Sequence, residues 1–115
     1  VDDEPALARM GSRMLEGLGY SVISKTSSRK ALEAFRQEPE SFDLLITDMT
    51  MPHMTGDKLA IEFRKIRTDI PIILCTGYSN RITEQQAKHL GINAFAYKPF
   101  TKADLARIIR EVLEG

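Results

Sequence analysis

The chain has 115 residues, and 43% of them are hydrophobic, so we expect residues 1–115 to form one domain around a single core. Its sixteen basic and sixteen acidic residues leave no net charge, which argues against direct binding of this segment to nucleic acid or to an anionic membrane. No run approaches the roughly 18 apolar residues of a membrane span, and the acidic start is the reverse of a signal peptide, so a cytoplasmic location is expected. The one cysteine, Cys75, lies in an apolar run, which favours a small buried side chain.

The first half of the chain opens with a predicted helix. Pro5 is suited to a first helical position, apolar residues follow at spacings of three and four, and Gly19 ends the run. Residues 20–24 predict a short strand. Ser27 or Ser28 can then cap a second helix.

Two strands in the middle of the sequence have continuous apolar centres. Residues 42–47 and 71–76 both lack strict alternation, which is typical of strands covered on both faces of a sheet. The second helix ends before Pro39, and a third helix is predicted between the two strands, after Gly56.

The last third of the chain continues the alternation. Thr83 has capping-box spacing to Gln86 and starts a fourth predicted helix, which is short and weakly apolar and ends at Gly91. A strand over 94–97 follows. The final helix has the clearest apolar face and is capped by Thr101 with Asp104; it runs to Gly115.

Alternating strands and helices joined by short connections predict an α/β fold with a parallel sheet and helices on both faces. One element is incomplete, because only Val1 precedes the acidic pair where the pattern needs a strand before the first helix. We therefore expect several apolar residues upstream of Val1 in the natural protein, so that the first strand is truncated in this numbering.

Five polar residues stand where the predicted strands end, and ligands of parallel sheets bind at that edge. Asp2 and Asp3 end the truncated first strand, Asp48 the third, Thr76 the fourth and Lys98 the fifth. Three carboxylates in one pocket repel each other unless a cation relieves them. Mg²⁺ prefers one or two carboxylates, waters and a phosphate, so the set predicts a magnesium site.

Asp48 can also act as a covalent nucleophile toward a phosphoryl group. Phosphoryl transfer depends mainly on positioning and on cations at the phosphoryl oxygens. Mg²⁺ and Lys98 would each neutralise one oxygen, and the Thr76 hydroxyl could donate a hydrogen bond to another.

In their order and spacing, these residues resemble the receiver domain of bacterial two-component response regulators, which is CheY-like. The resemblance spans nearly the whole chain and rests on four motifs: Val1-Asp2-Asp3-Glu4, Asp48-Met49-Thr50-Met51-Pro52 with Gly56, Cys75-Thr76-Gly77, and Lys98-Pro99-Phe100. It implies a three-layer, doubly wound, flavodoxin-like fold with five parallel strands in the order 2-1-3-4-5.

The resemblance also implies roles for individual residues. Asp48 corresponds to the phosphoacceptor, which takes its phosphoryl group from a histidine kinase or a histidine phosphotransfer domain. Asp2 and Asp3, with the backbone carbonyl of Thr50, would complete the protein ligands of Mg²⁺. The Lys98-Pro99 bond is expected to be cis. A domain of this type catalyses only its own phosphorylation and dephosphorylation.

Switching and phosphoryl lifetime are further implications of the resemblance. Thr76 would move toward the phosphoryl group and Phe95 would rotate into the vacated space, changing the face formed by the fourth helix, the fifth strand and the last helix. Thr50 and Tyr78 are expected to tune hydrolysis, and a shielding Tyr78 predicts slow self-dephosphorylation. An exposed Tyr78 would leave the lifetime unchanged.

The run Thr76-Gly77-Tyr78-Ser79 is similar to receivers of hybrid histidine kinases. A kinase domain in the same parent chain is therefore one expectation, beside an attached effector domain or a single-domain regulator.

Three alternative classes of protein differ from a phosphoaccepting receiver in the residues they require. A phosphatase of the haloacid dehalogenase type would need a second Asp where Thr50 stands. A flavin binder would need a Ser/Thr/Gly-rich loop in place of the first acidic pair. A degenerate receiver that only docks partners would not need the complete set of acidic, Thr and Lys residues.

Overall fold

A computed structural model describes residues 1–77 and 91–114 of the chain. Four helices lie within these ranges. They are α1 (Pro5–Gly17), α2 (Ser28–Gln37), α3 (Gly56–Ile66) and α4 (Lys102–Glu114), with a 3-10 turn at Pro39–Ser41. The fourth predicted helix, which starts at Thr83, lies outside the described residues.

Three parallel strands form the sheet of the described residues, in the order β1 (Leu45–Asp48), β2 (Ile72–Thr76) and β3 (Ala94–Tyr97). They correspond to the third, fourth and fifth predicted strands. In the register of the sheet, Asp48 lies opposite Cys75 and Thr76 lies opposite Tyr97. The parallel α/β architecture is therefore confirmed, and the strand ends that carry the polar residues meet at one edge.

Helices cover both faces of this sheet. Alternate side chains of β2 point to opposite faces and therefore pack into two different cores. Ile72 and Leu74 pack into a core with residues of α2 and α3, including Phe35 and Phe63, whose rings stack at a centroid distance of 4.2 Å. On the other face, Ile73 and Cys75 pack into a second core with α4 and part of α1: Leu15, Leu105, Ile108 and Ile109.

Helix starts follow the sequence closely, since the capping residues act locally. Pro5 is the first residue of α1. Ser27 is the N-cap of α2, and its side chain accepts a hydrogen bond from the backbone N–H of Lys30 at 3.1 Å. Thr101 and Asp104 exchange two hydrogen bonds at the start of α4. These three predicted starts are confirmed.

One strand prediction was wrong, and another was wrong in extent. Residues 20–24 do not form a strand, and the strand predicted from Phe42 begins only at Leu45. A strand is defined by backbone pairing, and the 20–25 segment has a single backbone bond to the start of the chain, from the Asp2 N–H to the Lys25 carbonyl at 3.2 Å. An apolar pattern without a paired neighbour does not make a ladder.

Val1 lies beside β1 in parallel orientation. Its nitrogen donates to the Ile46 carbonyl at 2.7 Å, and its carbonyl accepts from the Asp48 N–H at 2.9 Å. Together with the bond between Asp2 and Lys25, this pairing positions the first two residues between the 20–25 segment and β1.

A groove of about 500 Å³ extends along β1 from this point. It runs between α1, the 20–25 segment, β1 and α4, and apolar side chains form much of its lining: Leu7, Leu15, Val22, Ile46, Ile109 and Leu113. We refer to it as the β1 groove.

Cys75 is buried within the sheet, as its apolar surroundings predict. Burial raises the pKa of its thiol to about 12, so the group stays protonated near neutral pH. Among the described helices, none has the length and apolar character needed to cross a membrane.

Candidate functional site

The site lies at the carboxyl edge of the sheet, where three strands end side by side. Asp48 is the last residue of β1, Thr76 is the last residue of β2, and Lys98 follows β3 directly. The Lys98 N–H donates to the Thr76 carbonyl at 2.8 Å, which ties the exits of β2 and β3 together. The register of the sheet thus brings together side chains that are far apart in sequence.

Three carboxylates meet at this edge. Asp2, Asp3 and Asp48 each offer an oxygen that lies within 4.8 Å of the other two. Asp48 is buried, with 8% of its surface exposed, and Asp2 is half-buried. The donors are all hard oxygens, which fits Mg²⁺ better than a softer metal.

Lys98 joins the carboxylates to form a compact charged cluster. Its Nζ lies 2.7 Å from Oδ1 of Asp48 and 3.5 Å from Oδ2 of Asp2. The ammonium offsets one of three negative charges, and a bound divalent cation would offset the other two.

The environment shifts the acid–base behaviour of this pair. Burial raises the pKa of the Asp48 carboxyl, and the charges of Asp2 and Asp3 raise it further, whereas the hydrogen bond and charge of Lys98 oppose the rise. For Lys98, burial lowers the pKa, but the hydrogen bond and charge of Asp48 and the charge of Asp2 outweigh it, so the pKa is raised. Both shifts reflect a partly desolvated cluster with excess negative charge.

The other predicted site residues lie around this cluster. The Thr76 side chain is buried, and its hydroxyl donates to the Gly77 carbonyl at 3.2 Å. Phe95 is half-buried against the core that contains α2 and α3. Its ring centroid lies 6.0 Å from that of Tyr97. Thr50 is exposed on the loop after β1. Tyr78 lies outside the described residues.

The Lys98–Pro99 peptide bond is cis, as the resemblance implied. It follows immediately after Lys98, where the chain leaves β3 toward α4.

The loop between β1 and α3, residues 49–55, is held at both ends. Met49 donates its N–H to the Cys75 carbonyl at 2.9 Å and accepts from the Gly56 N–H at 2.8 Å. At the far end, the Ser28 hydroxyl donates to the Met54 carbonyl at 2.7 Å. Sequence reasoning assigned Ser28 only as a candidate cap, because no local pattern reveals a contact between positions 28 and 54.

The fold and the site define a class of protein, namely an α/β domain with an acidic cluster and a lysine at the carboxyl edge of its parallel sheet. The family model described as the response regulator receiver domain matches residues 1–110. The chain therefore belongs to the receiver domain family of response regulators.

Known proteins support this assignment along nearly the whole chain. It is 35% identical over 117 residues to the sensor kinase CckA of Brucella abortus, a match that covers 99% of this chain and 12% of that kinase. It is 32% identical to the transcriptional regulatory protein GlrR of Escherichia coli, covering 99% of this chain and 25% of that regulator. The chain thus spans only a minor part of these relatives.

The fold agrees with a solved structure of the family. A response regulator receiver domain protein from Clostridium thermocellum is 30% identical and superposes with a TM-score of 0.92, covering 98% of this chain and 90% of that one. The family match removes the support for the phosphatase and flavin-binding alternatives. It leaves open the docking-only receiver, which differs in chemistry and not in fold.

Proposed function

We propose that this chain is a phosphoacceptor in two-component signalling, and that Asp48 takes a phosphoryl group from the phosphohistidine of a histidine kinase or histidine phosphotransfer domain. The observation that carries the proposal is the ion pair of 2.7 Å between Lys98 and Asp48, set within 4.8 Å of two further carboxylates. A buried aspartate paired in this way is oriented, and it remains reachable from the sheet edge.

The chain's own groups account for the transfer. A carboxylate oxygen of Asp48 attacks phosphorus, the bond between phosphorus and the histidine nitrogen breaks, and an acyl phosphate forms. Lys98, already beside Asp48, would stabilise negative charge on a phosphoryl oxygen. The Thr76 hydroxyl would exchange its bond to the Gly77 carbonyl for one to the phosphoryl group.

Mg²⁺ is the cofactor that suits this donor set. The carboxylates of Asp2, Asp3 and Asp48, with the backbone carbonyl of Thr50, would hold it, and phosphate oxygens and water would complete its coordination. When bound, Mg²⁺ supplies positive charge that favours the phosphoryl group beside the carboxylates.

The proposed response to phosphorylation runs through Thr76 and Phe95. Thr76 would move toward the phosphoryl group, and Phe95 would turn into the space that opens beside β2. The face that responds would be formed by the fourth predicted helix, β3 and α4. Half-burial of Phe95 supports this role, because the core encloses its ring only in part.

We also infer that the complete sheet has five strands in the order 2-1-3-4-5. The parallel bonds of Val1 to β1, and of Asp2 to Lys25, support a strand inserted between β1 and the 20–25 segment. The β1 groove supplies the space and the apolar surroundings for that strand.

The domain would act in the cytoplasm, either as a single-domain regulator or joined to a kinase or effector domain in a longer protein. The relatives support the two joined arrangements, since one is named a sensor kinase and another a transcriptional regulatory protein.

Substitution of the acceptor tests the proposal. Asp48→Asn should abolish labelling by acetyl phosphate in the presence of Mg²⁺, because the amide is not a nucleophile for phosphorus; the measurement is intact-protein mass spectrometry. The matched control is Asp43→Asn, an exposed aspartate upstream of β1 that should keep full labelling. Undiminished labelling of Asp48→Asn would refute the assignment. Absence of labelling in the unsubstituted chain would identify a docking-only receiver.

A further inference from the structure

The loop of residues 49–55 is packed as well as hydrogen-bonded. It carries Thr50, whose carbonyl is the proposed fourth protein ligand of Mg²⁺. Met51 points inward and is 6% exposed, and Met54 packs against the same core. His53 has a backbone φ of 68°, in the left-handed region, so the loop holds one strained turn. A loop of this kind keeps its shape only when its surroundings fix it.

Ser28 supplies a fixed point from a different part of the chain. It is the first residue of α2, only 3% exposed, and its hydroxyl donates to the Met54 carbonyl at 2.7 Å. The same hydroxyl lies 3.9 Å from the sulfur of Met51, a weak contact. A polar side chain this deeply buried is costly unless its hydrogen bond is made, so the bond is a specific one.

We propose that Ser28 is a positioning residue for the phosphoryl site, in that its bond to Met54 holds the 49–55 loop so that the Thr50 carbonyl faces the bound Mg²⁺. The proposal rests on the proposed function and extends it from the residues at the sheet edge to the start of α2. Within the described residues, the Ser28 hydroxyl bonds to Met54 and, weakly, to Met51, and not to any of the three carboxylates.

The alternative is that Ser28 only joins α2 to α3 and contributes to stability. The neighbouring Ser27 separates the two roles, because it lies in the same turn and caps α2 through Lys30. Ser27→Ala removes the cap, which lowers the melting temperature, and leaves the 49–55 loop untouched. Ser28→Ala removes the bond to the loop and leaves the cap in place.

The experiment titrates Mg²⁺ alone into each variant and follows binding by calorimetry. Ser28→Ala should bind Mg²⁺ about two- to tenfold more weakly, the range that the loss of one hydrogen bond can account for. Ser27→Ala should bind as the parent chain does. In the acetyl phosphate reaction, Ser28→Ala should need more Mg²⁺ for half-maximal rate, while its rate at saturating Mg²⁺ stays close to that of the parent.

Parental Mg²⁺ affinity in a folded Ser28→Ala variant overturns the proposal, and so does an equal loss of affinity in Ser27→Ala. If Ser28→Ala does not fold, the backbone amide spectrum of the parent decides: the amides of residues 28–29 should shift with Mg²⁺ together with those of the loop, and their silence overturns the proposal. If the unsubstituted chain binds no Mg²⁺ and takes no label, the proposed function itself is overturned.

Discussion

Position 56 requires glycine, because other atoms of the chain lie too close to it for a side chain. A β-carbon at this position would overlap the carbonyl oxygen of Asp48 and lie 2.8 Å from Cδ1 of Leu74. The Gly56 N–H also donates to the Met49 carbonyl. The first turn of α3 is therefore pressed against the backbone of Asp48, and this contact requires the absence of a side chain at position 56.

Gly56→Ala should destabilise the chain by about 1–3 kcal/mol, because the added methyl group overpacks a buried contact with backbone. The measurement is urea unfolding followed by circular dichroism. It should also slow labelling by acetyl phosphate, since relief of the clash displaces Asp48.

Gly11→Ala is the matched control. Gly11 lies within α1, and an added β-carbon meets nothing within 4 Å, so we expect a change of at most about 1 kcal/mol, in the stabilising direction. Equal stability of the Gly56→Ala variant and the parent would contradict the predicted clash.

At the scale of elements, α4 shows how a local signal sets a boundary. The Thr101 N–H donates to Asp104 at 3.0 Å, and the Asp104 N–H donates to the Thr101 hydroxyl at 3.1 Å. These bonds satisfy two donors that the helix start would otherwise leave unpaired. They also hold the pKa of the Asp104 carboxyl below its ordinary value of 3.8, the bond from the Thr101 backbone being the larger cause.

A carboxylate whose pKa is lower in the folded state stabilises that state at pH values above its unfolded-state pKa. This stabilisation is lost as the pH falls through the folded-state pKa. Asp104→Asn should therefore lower the melting temperature near neutral pH, and the difference from the parent should shrink at acid pH, below the ordinary range of an aspartate. Thermal melts across this pH range measure it.

Glu111→Gln serves as the control in α4, because Glu111 is exposed and lies away from the cap. Its Oε1 is 3.6 Å from Nη1 of Arg107. Exposed pairs of this kind contribute little, so its melting temperature should stay near that of the parent at every pH. A deficit in Asp104→Asn that is independent of pH would show that the carboxylate charge is not what the cap uses.

At the scale of the whole molecule, apolar side chains beside the β1 groove stay partly exposed. Leu7 is 38% exposed and Leu113 is 43% exposed beside it, although both helices present apolar faces. Helix α1 has no fully buried residue, which is unusual for a helix that covers a parallel sheet. A strand in the groove would give these side chains a packing partner.

Adding about five apolar, β-branched residues ahead of Val1 should raise the free energy of unfolding by roughly 2–4 kcal/mol, as buried side chains outweigh the cost of ordering the added backbone. Urea unfolding measures the effect. An extension of Gly and Ser of equal length is the control and should add nothing. Equal stability of the two extended chains would mean that the groove does not accept a strand.

The sequence by itself determined the features that depend on neighbours along the chain. The start of α1 at Pro5, the cap of α2 at Ser27 and the cap of α4 at Thr101 are local effects. The continuous apolar run of residues 72–75 also predicted that this strand is buried. The placement of Asp48, Thr76 and Lys98 at strand ends could also be predicted, because parallel strands bring their carboxyl ends to one edge.

Only the tertiary structure decided which groups touch. The ion pair between Lys98 and Asp48, the contact of Gly56 with Asp48 and the bond from Ser28 to Met54 join residues distant in sequence. Residues 20–24 form no strand in this structure despite their apolar pattern, because their segment has only the bond from the Asp2 N–H to the Lys25 carbonyl as backbone pairing with the start of the chain. The physical reason is that hydrogen bonds and packing between elements depend on distances in space, which no local pattern encodes.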